Sequence, residues 1–142
     1  QFLPKNCQYS VCDTSFDFIA HLPEKCFARF QWNLHNGISN LPFKVDAVVM
    51  IISLYQFRKT SVDLLLEAIK DIGSTVVVLE EVSGLSKKQP VLIQWIRNYL
   101  CSTDYFIPTE LFTSKEFESL MKNHRYDFIR YNERYCLGYY HN

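Results

Sequence analysis

The stretch VDAVVMIISLY at Val45–Tyr55, followed at a helix's distance by TVVVLEE at Thr75–Glu81, governs how the rest of the chain is read. Two apolar, β-branched runs joined by one amphipathic helix describe a βαβ unit of a buried parallel sheet, and such sheets place ligands beyond the carboxyl ends of their strands. Those ends are Ser53-Leu54-Tyr55 and Glu80-Glu81. Between the two runs, Val62, Leu65, Ile69 and Ile72 step by three and four, while Glu67, Lys70 and Asp71 stay toward water. Ser61 is placed to cap this helix at its start and Gly73 at its end.

Working outward, the upstream segment predicts a short strand over Gln8–Cys12, a turn at Asp13-Thr14-Ser15 and a helix over Phe16–Lys25 that Pro23 limits. A second strand follows at Phe27–Trp32, and the Asn, Gly, Ser and Pro residues of Asn33–Pro42 make a loop leading into Val45. Downstream, Ser86 and Gln89 have capping-box spacing ahead of a stripe formed by Leu92, Trp95, Ile96, Tyr99 and Leu100. Thr113 and Glu116 repeat that spacing before Phe117, Leu120 and Met121. Tyr126–Tyr131 and Tyr135–Tyr140, around Asn132-Glu133-Arg134, then read as an antiparallel pair.

A chain of 142 residues that is 48% hydrophobic suits one domain, residues 1–142, around one core. Fifteen basic residues balance fifteen acidic ones, so no net charge draws the chain to nucleic acid or an anionic membrane. The longest apolar run, Ala47–Ile52, falls far short of the roughly 20 residues that span a bilayer, which predicts a soluble protein. Five cysteines form no C-x-x-C pair and are odd in number, which points to a reducing, cytoplasmic setting with Cys12 and Cys136 packed in strands. The four histidines lack ligand spacing, so no metal is expected. Gln1 opens the chain without a methionine or a leader pattern, as a processed or excised piece would.

The order strand, helix, strand, two helices and a terminal hairpin resembles the later part of class I, S-adenosylmethionine-dependent methyltransferases. The resemblance implies an α/β fold: a three-layer, Rossmann-like, mostly parallel sheet with a C-terminal antiparallel strand pair. In that family an acidic residue at the end of the second strand holds the cofactor ribose, and Cys12-Asp13-Thr14-Ser15 resembles this strand end. The resemblance therefore puts Asp13 on ribose, since a carboxylate accepts two hydroxyl hydrogen bonds well. An Asp before Thr-Ser also caps a following helix, and both roles stay open. The adenine position after the third strand falls on Asn33 by strand end or on Asn36 by its distance to Leu41-Pro42-Phe43. Loop asparagines are equally turn formers. Ser53 and Leu54 would border the cofactor and Tyr55 the methyl acceptor, although a tyrosine packed on the following helix fits that position too.

Gly37, Gly73, Gly84 and Gly138 are the only glycines, and none belongs to the Gly-x-Gly-x-Gly loop of this family. Too few residues precede Asp13 to supply a first strand, loop and helix, because a βαβ unit takes roughly 30 residues or more. The sheet is thus expected to be incomplete at its N-terminus, with a partner chain supplying the missing strand and glycine loop. Two functions follow: a methyltransferase of unknown acceptor, or a methyltransferase-like binding or assembly module without catalysis. A flavodoxin-like domain is a third reading, against which the terminal strand pair stands. Methyl transfer requires chiefly an in-line nucleophile, so a missing catalytic dyad says little. Glu80 and Glu81 point to opposite faces by strand alternation, and solvation or a helix-cap role suits either better than proton transfer. Trp95, Tyr99, Tyr105 and Phe106 read as core before they read as a lid, and the C-terminal tyrosines read as strand packing before base stacking.

Overall fold

Parallel pairing of the two apolar runs is the centre of the structure. The computed structural model describes residues 7–13, 16–22, 26, 28–31, 44–58, 61–82, 92 and 111–142, with the backbone alone at Phe16, Phe18 and Gln31. The chain divides into two units, Gln1–Gly37 and Ile38–Asn142.

In the first unit, β1 (Ser10–Asp13) and β2 (Ala28–Gln31) pair in parallel, with Ser10 opposite Ala28 and Asp13 opposite Gln31. The helix between them, α1 (Phe16–Ala20), is shorter than the pattern over Phe16–Lys25 predicts. His21 already lies in the turn that ends it, with its ring nitrogen 2.6 Å from the Asp17 carbonyl. The Arg29 guanidinium donates to the Leu22 carbonyl at 3.0 Å and so fastens the end of α1 to β2. Ile19 and Cys26 are buried here.

In the second unit, β3 (Val45–Ile51), α2 (Val62–Ile72) and β4 (Gly73–Glu81) form the expected βαβ unit, and the two strands pair in parallel from Val45–Gly73 to Ile51–Leu79. The last helix, α3 (Ser114–Asn123), leads into β5 (Asp127–Arg130) and β6 (Tyr135–His141). The sheet order is β3-β4-β6-β5, with β6 antiparallel to both of its neighbours. The C-terminal strand is therefore inserted beside β4, and the hairpin partner β5 takes the edge.

Helix α2 buries Val62, Leu65, Leu66 and Ile69, as its sequence stripe predicts. Fully burying one such side chain stabilises by about 1.5–3 kcal/mol. The caps of α2 differ from expectation. Ser61 sits at the N-cap but makes no side-chain cap bond, and its carbonyl accepts from Leu65 N–H at 2.9 Å. Gly73 is extended, not left-handed, and β4 begins on it two residues before Thr75. Its value is close approach: a Cβ there would lie 2.8 Å from Val48 Cγ2 on β3. The Thr113–Glu116 capping box is present in full, with Glu116 N–H donating to Thr113 Oγ1 at 3.2 Å and Thr113 N–H to Glu116 Oε2 at 2.7 Å.

Both helices cover one face of the sheet. That face carries Val76, Val78 and Glu80 on β4 and their β6 neighbours Tyr140, Gly138 and Cys136. Met121 of α3 lies over Gly138, and Tyr126 at the start of the hairpin donates its hydroxyl to the Leu66 carbonyl of α2 at 3.0 Å. The opposite face departs from the buried sheet expected from β3. Val49 and Ile51 are 58% and 61% exposed, and Ile51, Leu79, Leu137 and Ile129 form one apolar row across all four strands. Among the described residues the physical reason is one-sided cover, because the α2 and α3 contacts go to the other face.

Candidate functional site

The carboxyl end of β3 runs straight into an irregular turn. Ile52 has φ 49, in the left-handed region that β-branched residues avoid, and its N–H donates to the Leu79 carbonyl of β4 at 2.8 Å. Ser53 follows, half-buried, and opens a 3-10 turn over Leu54–Phe57 without a side-chain cap bond. Leu54 is fully buried, Phe57 nearly so, and Tyr55 is half-buried. Arg58 closes the turn and ties it to the start of α3: its guanidinium donates to the Leu111 carbonyl and to Glu116 Oε1, each at 2.8 Å, and lies 5.2 Å over the Phe112 ring.

Glu80 holds this turn from the neighbouring strand. It is fully buried, and its Oε2 accepts the Leu54 N–H at 2.8 Å. Its other oxygen, Oε1, is buried with no hydrogen-bond partner among the described residues. Burial pushes the carboxyl up to about 7, with the charge of Glu81 adding to the rise, while the Leu54, Tyr55 and Glu81 N–H groups pull against it. Glu81 points the other way and pairs with Arg134 at 2.9 Å. The two carboxylates thus alternate as expected. Glu80 is not solvated, and its partner is the first N–H of a 3-10 turn on another segment, a cap supplied from a distance.

This residue is what the sequence reading undervalued. Its signal was parity: Val76, Val78 and Glu80 lie two apart on a strand, so a face that buries the valines carries Glu80 inward as well.

Ser53, Leu54 and Tyr55 therefore stand together at the β3 end, next to Glu80. The Leu54 side chain belongs to the core, and its backbone N–H is taken by the carboxylate. Asp13 is half-buried at the carboxyl end of β1, in the first unit, opposite Gln31. Asn33, Asn36, the lead-in at 41–43, the 86–89 capping box and the aromatic residues Trp95, Tyr99, Tyr105 and Phe106 lie outside the described residues. Cys136 is buried, its sulfur 3.6 Å from Ser114 Oγ, and Cys12 is half-buried, its thiol pushed up by burial and by Asp13. Among the described residues no group of three or more His, Cys, Asp or Glu side chains could hold a metal ion, and no helix is long and apolar enough to cross a membrane.

No family model and no curated protein matches the sequence. Among solved structures, the fold is similar to that of a cyclopropane-fatty-acyl-phospholipid synthase-like protein from Lactobacillus casei ATCC 334, with a TM-score of 0.56 and 18% identity over 86% of this chain and 53% of that one. The chain spans about half the length of that structure. The likeness is one of fold, and it supports an α/β, Rossmann-like architecture.

Proposed function

We propose that the chain is the substrate-side part of an S-adenosylmethionine-dependent methyltransferase whose acceptor is open. The observation that carries this reading is the sheet order β3-β4-β6-β5, in which one antiparallel strand sits beside a parallel βαβ unit. Asp13 would take the ribose hydroxyls, Asn33 or Asn36 the adenine, Ser53 and Leu54 the cofactor edge of the β3 end, and Tyr55 the methyl acceptor. Both units would then belong to one domain. Positioning of the acceptor in line with the sulfonium carbon would supply most of the rate. A partner chain or further segment would bring the first strand and the glycine loop that the sequence does not contain. Cys7, Cys26 and Cys136, which form no disulfide among the described residues, agree with a reducing, cytoplasmic location.

A second reading draws on the open sheet face. Val49 and Ile51 are large apolar side chains exposed at the strand where a further strand is expected, which favours a module that another chain covers and completes without catalysis. Isothermal titration with S-adenosylmethionine, on the chain alone and with any co-purifying protein, separates the two. Heat of binding in either sample supports the enzyme. Folded protein with no heat in both leaves the assembly module.

A further inference from the structure

We infer that Glu80 is a positioning residue for the β3-terminal turn, its carboxylate gripping the Leu54 N–H so that Ser53 and Tyr55 are presented in one fixed arrangement. The inference rests on the proposal that this strand end is the ligand site. Two independent features of the structure meet there.

The first is strain. Ile52 at φ 49 is a β-branched residue in a left-handed conformation, which persists only where its surroundings over-determine it. Two contacts do so from β4: the Leu79 carbonyl takes the Ile52 N–H, and Glu80 Oε2 takes the Leu54 N–H, both at 2.8 Å. Together they fix the backbone on each side of Ser53.

The second is an unsatisfied buried carboxyl. A fully buried glutamate with one oxygen unpartnered among the described residues is costly, and an apolar residue would pack there without that cost. The cost is matched by what only a carboxylate gives, a charge-assisted hold on backbone N–H groups that tightens on ionisation. Among the described residues the neighbouring charges are engaged elsewhere. On its own strand, Glu81 is engaged by Arg134; on the turn, Arg58 is engaged by Glu116 and the Leu111 carbonyl; on β6, the register neighbour is the buried thiol of Cys136. Because burial raises the carboxyl toward neutrality, protonation near pH 7 weakens the grip and loosens the turn.

The test uses the whole chain and two readouts. In a ¹H–¹⁵N spectrum without cofactor, the Leu54 amide should titrate with a midpoint near pH 7 and move downfield as pH rises, and this movement should vanish in Glu80→Gln. If the ionised form is the competent one, S-adenosylmethionine should bind about tenfold more weakly one pH unit below that midpoint than well above it, because the competent fraction falls by that factor. Glu80→Gln should bind with one affinity at both pH values, and Glu80→Leu, its fold checked by circular dichroism, offers no acceptor and should bind weakly at both. A Leu54 amide that does not titrate, or that titrates unchanged in Glu80→Gln, overturns the inference. So does a pH dependence of binding that survives in Glu80→Gln. Absence of cofactor binding throughout, on the chain alone and with any co-purifying protein, with the Leu54 titration intact and lost in Glu80→Gln, would remove the methyltransferase reading and leave the hold of Glu80 on the turn supported.

Discussion

Glu80 and Leu54 are 26 residues apart and joined by a 2.8 Å hydrogen bond that crosses from β4 to the turn after β3, buried at both ends. The carboxyl that accepts it has a folded-state value of about 7, above its unfolded one, so the native state holds a proton that the unfolded state releases. Stability from this group is therefore complete below the unfolded value, and it falls as pH rises through the folded one. The full loss is on the order of 3 kcal/mol, from about 1.4 kcal/mol for each pH unit between the two values. Urea denaturation at about pH 5 and about pH 8 should show this fall in the wild type and most of it abolished in Glu80→Gln. A wild type equally stable at both would mean that the carboxyl is not buried as described.

His124 titrates in the same direction over a higher window. Its two ring nitrogens meet Asp63 and Glu67 of α2, each at 2.7 Å, and Lys70 reaches both Glu67 and the His124 carbonyl. Partial burial opposes the charged ring, but the hydrogen bonds and charges of Glu67 and Asp63 together outweigh it and raise the histidine above its ordinary 6.5. The clasp between α2 and the end of α3 thus contributes fully below about pH 6.5 and is lost as pH rises through the raised folded value. Asp63 and Glu67 are 75% and 55% exposed, so the effect is limited to about 1 kcal/mol or less. His124→Gln should cost more stability at about pH 5.5 than at about pH 8.5. The opposite ordering would show that the ring is neutral in the clasp.

The βαβ core, the terminal hairpin and the Thr113–Glu116 capping box were legible because each is a local pattern: β-branched runs, a stripe with steps of three and four, and a motif of spacing three. The end of β3 was legible as a place but not as a structure. Nothing in an Ile-Ile-Ser sequence announces a left-handed Ile52, since the conformation is imposed by partners on β4. Glu80 is hidden because carboxylates are usually solvated, although its parity with Val76 and Val78 places it on the inward face. The exposure of Val49 and Ile51 was likewise hidden, because an apolar run specifies two faces suited to burial and not what covers them.

Gly138 is a packing requirement. It lies on β6 opposite Val78, and a Cβ there would collide with the sulfur of the fully buried Met121 and lie 2.9 Å from its Cγ. Gly138→Ala should therefore destabilise by about 1–3 kcal/mol through overpacking, despite the better strand propensity of alanine. Pairing it with Met121→Ala should recover part of the loss, because the second change removes the obstructing atoms. Additive costs in a double-mutant cycle would refute the proposed clash.

The turn at Ile52 offers the sharpest test of the local geometry. In ordinary β structure, glycine is less favourable than alanine by roughly 0.5–1 kcal/mol, because it loses more freedom on folding. At φ 49 the ordering should reverse, since left-handed backbone costs an L-residue roughly 1–2 kcal/mol that glycine avoids. Both substitutions remove most of the half-buried isoleucine side chain, so the loss of apolar contact largely cancels in the comparison. Ile52→Gly should consequently be more stable than Ile52→Ala, by up to about 1 kcal/mol, in chemical denaturation at a fixed pH. The difference should shrink when Glu80 is replaced by leucine, because the Leu54 N–H then loses the acceptor that helps hold the turn left-handed. Alanine more stable than glycine with Glu80 in place would show that β3 ends without this turn, and that Ser53 and Tyr55 are presented by some other backbone path.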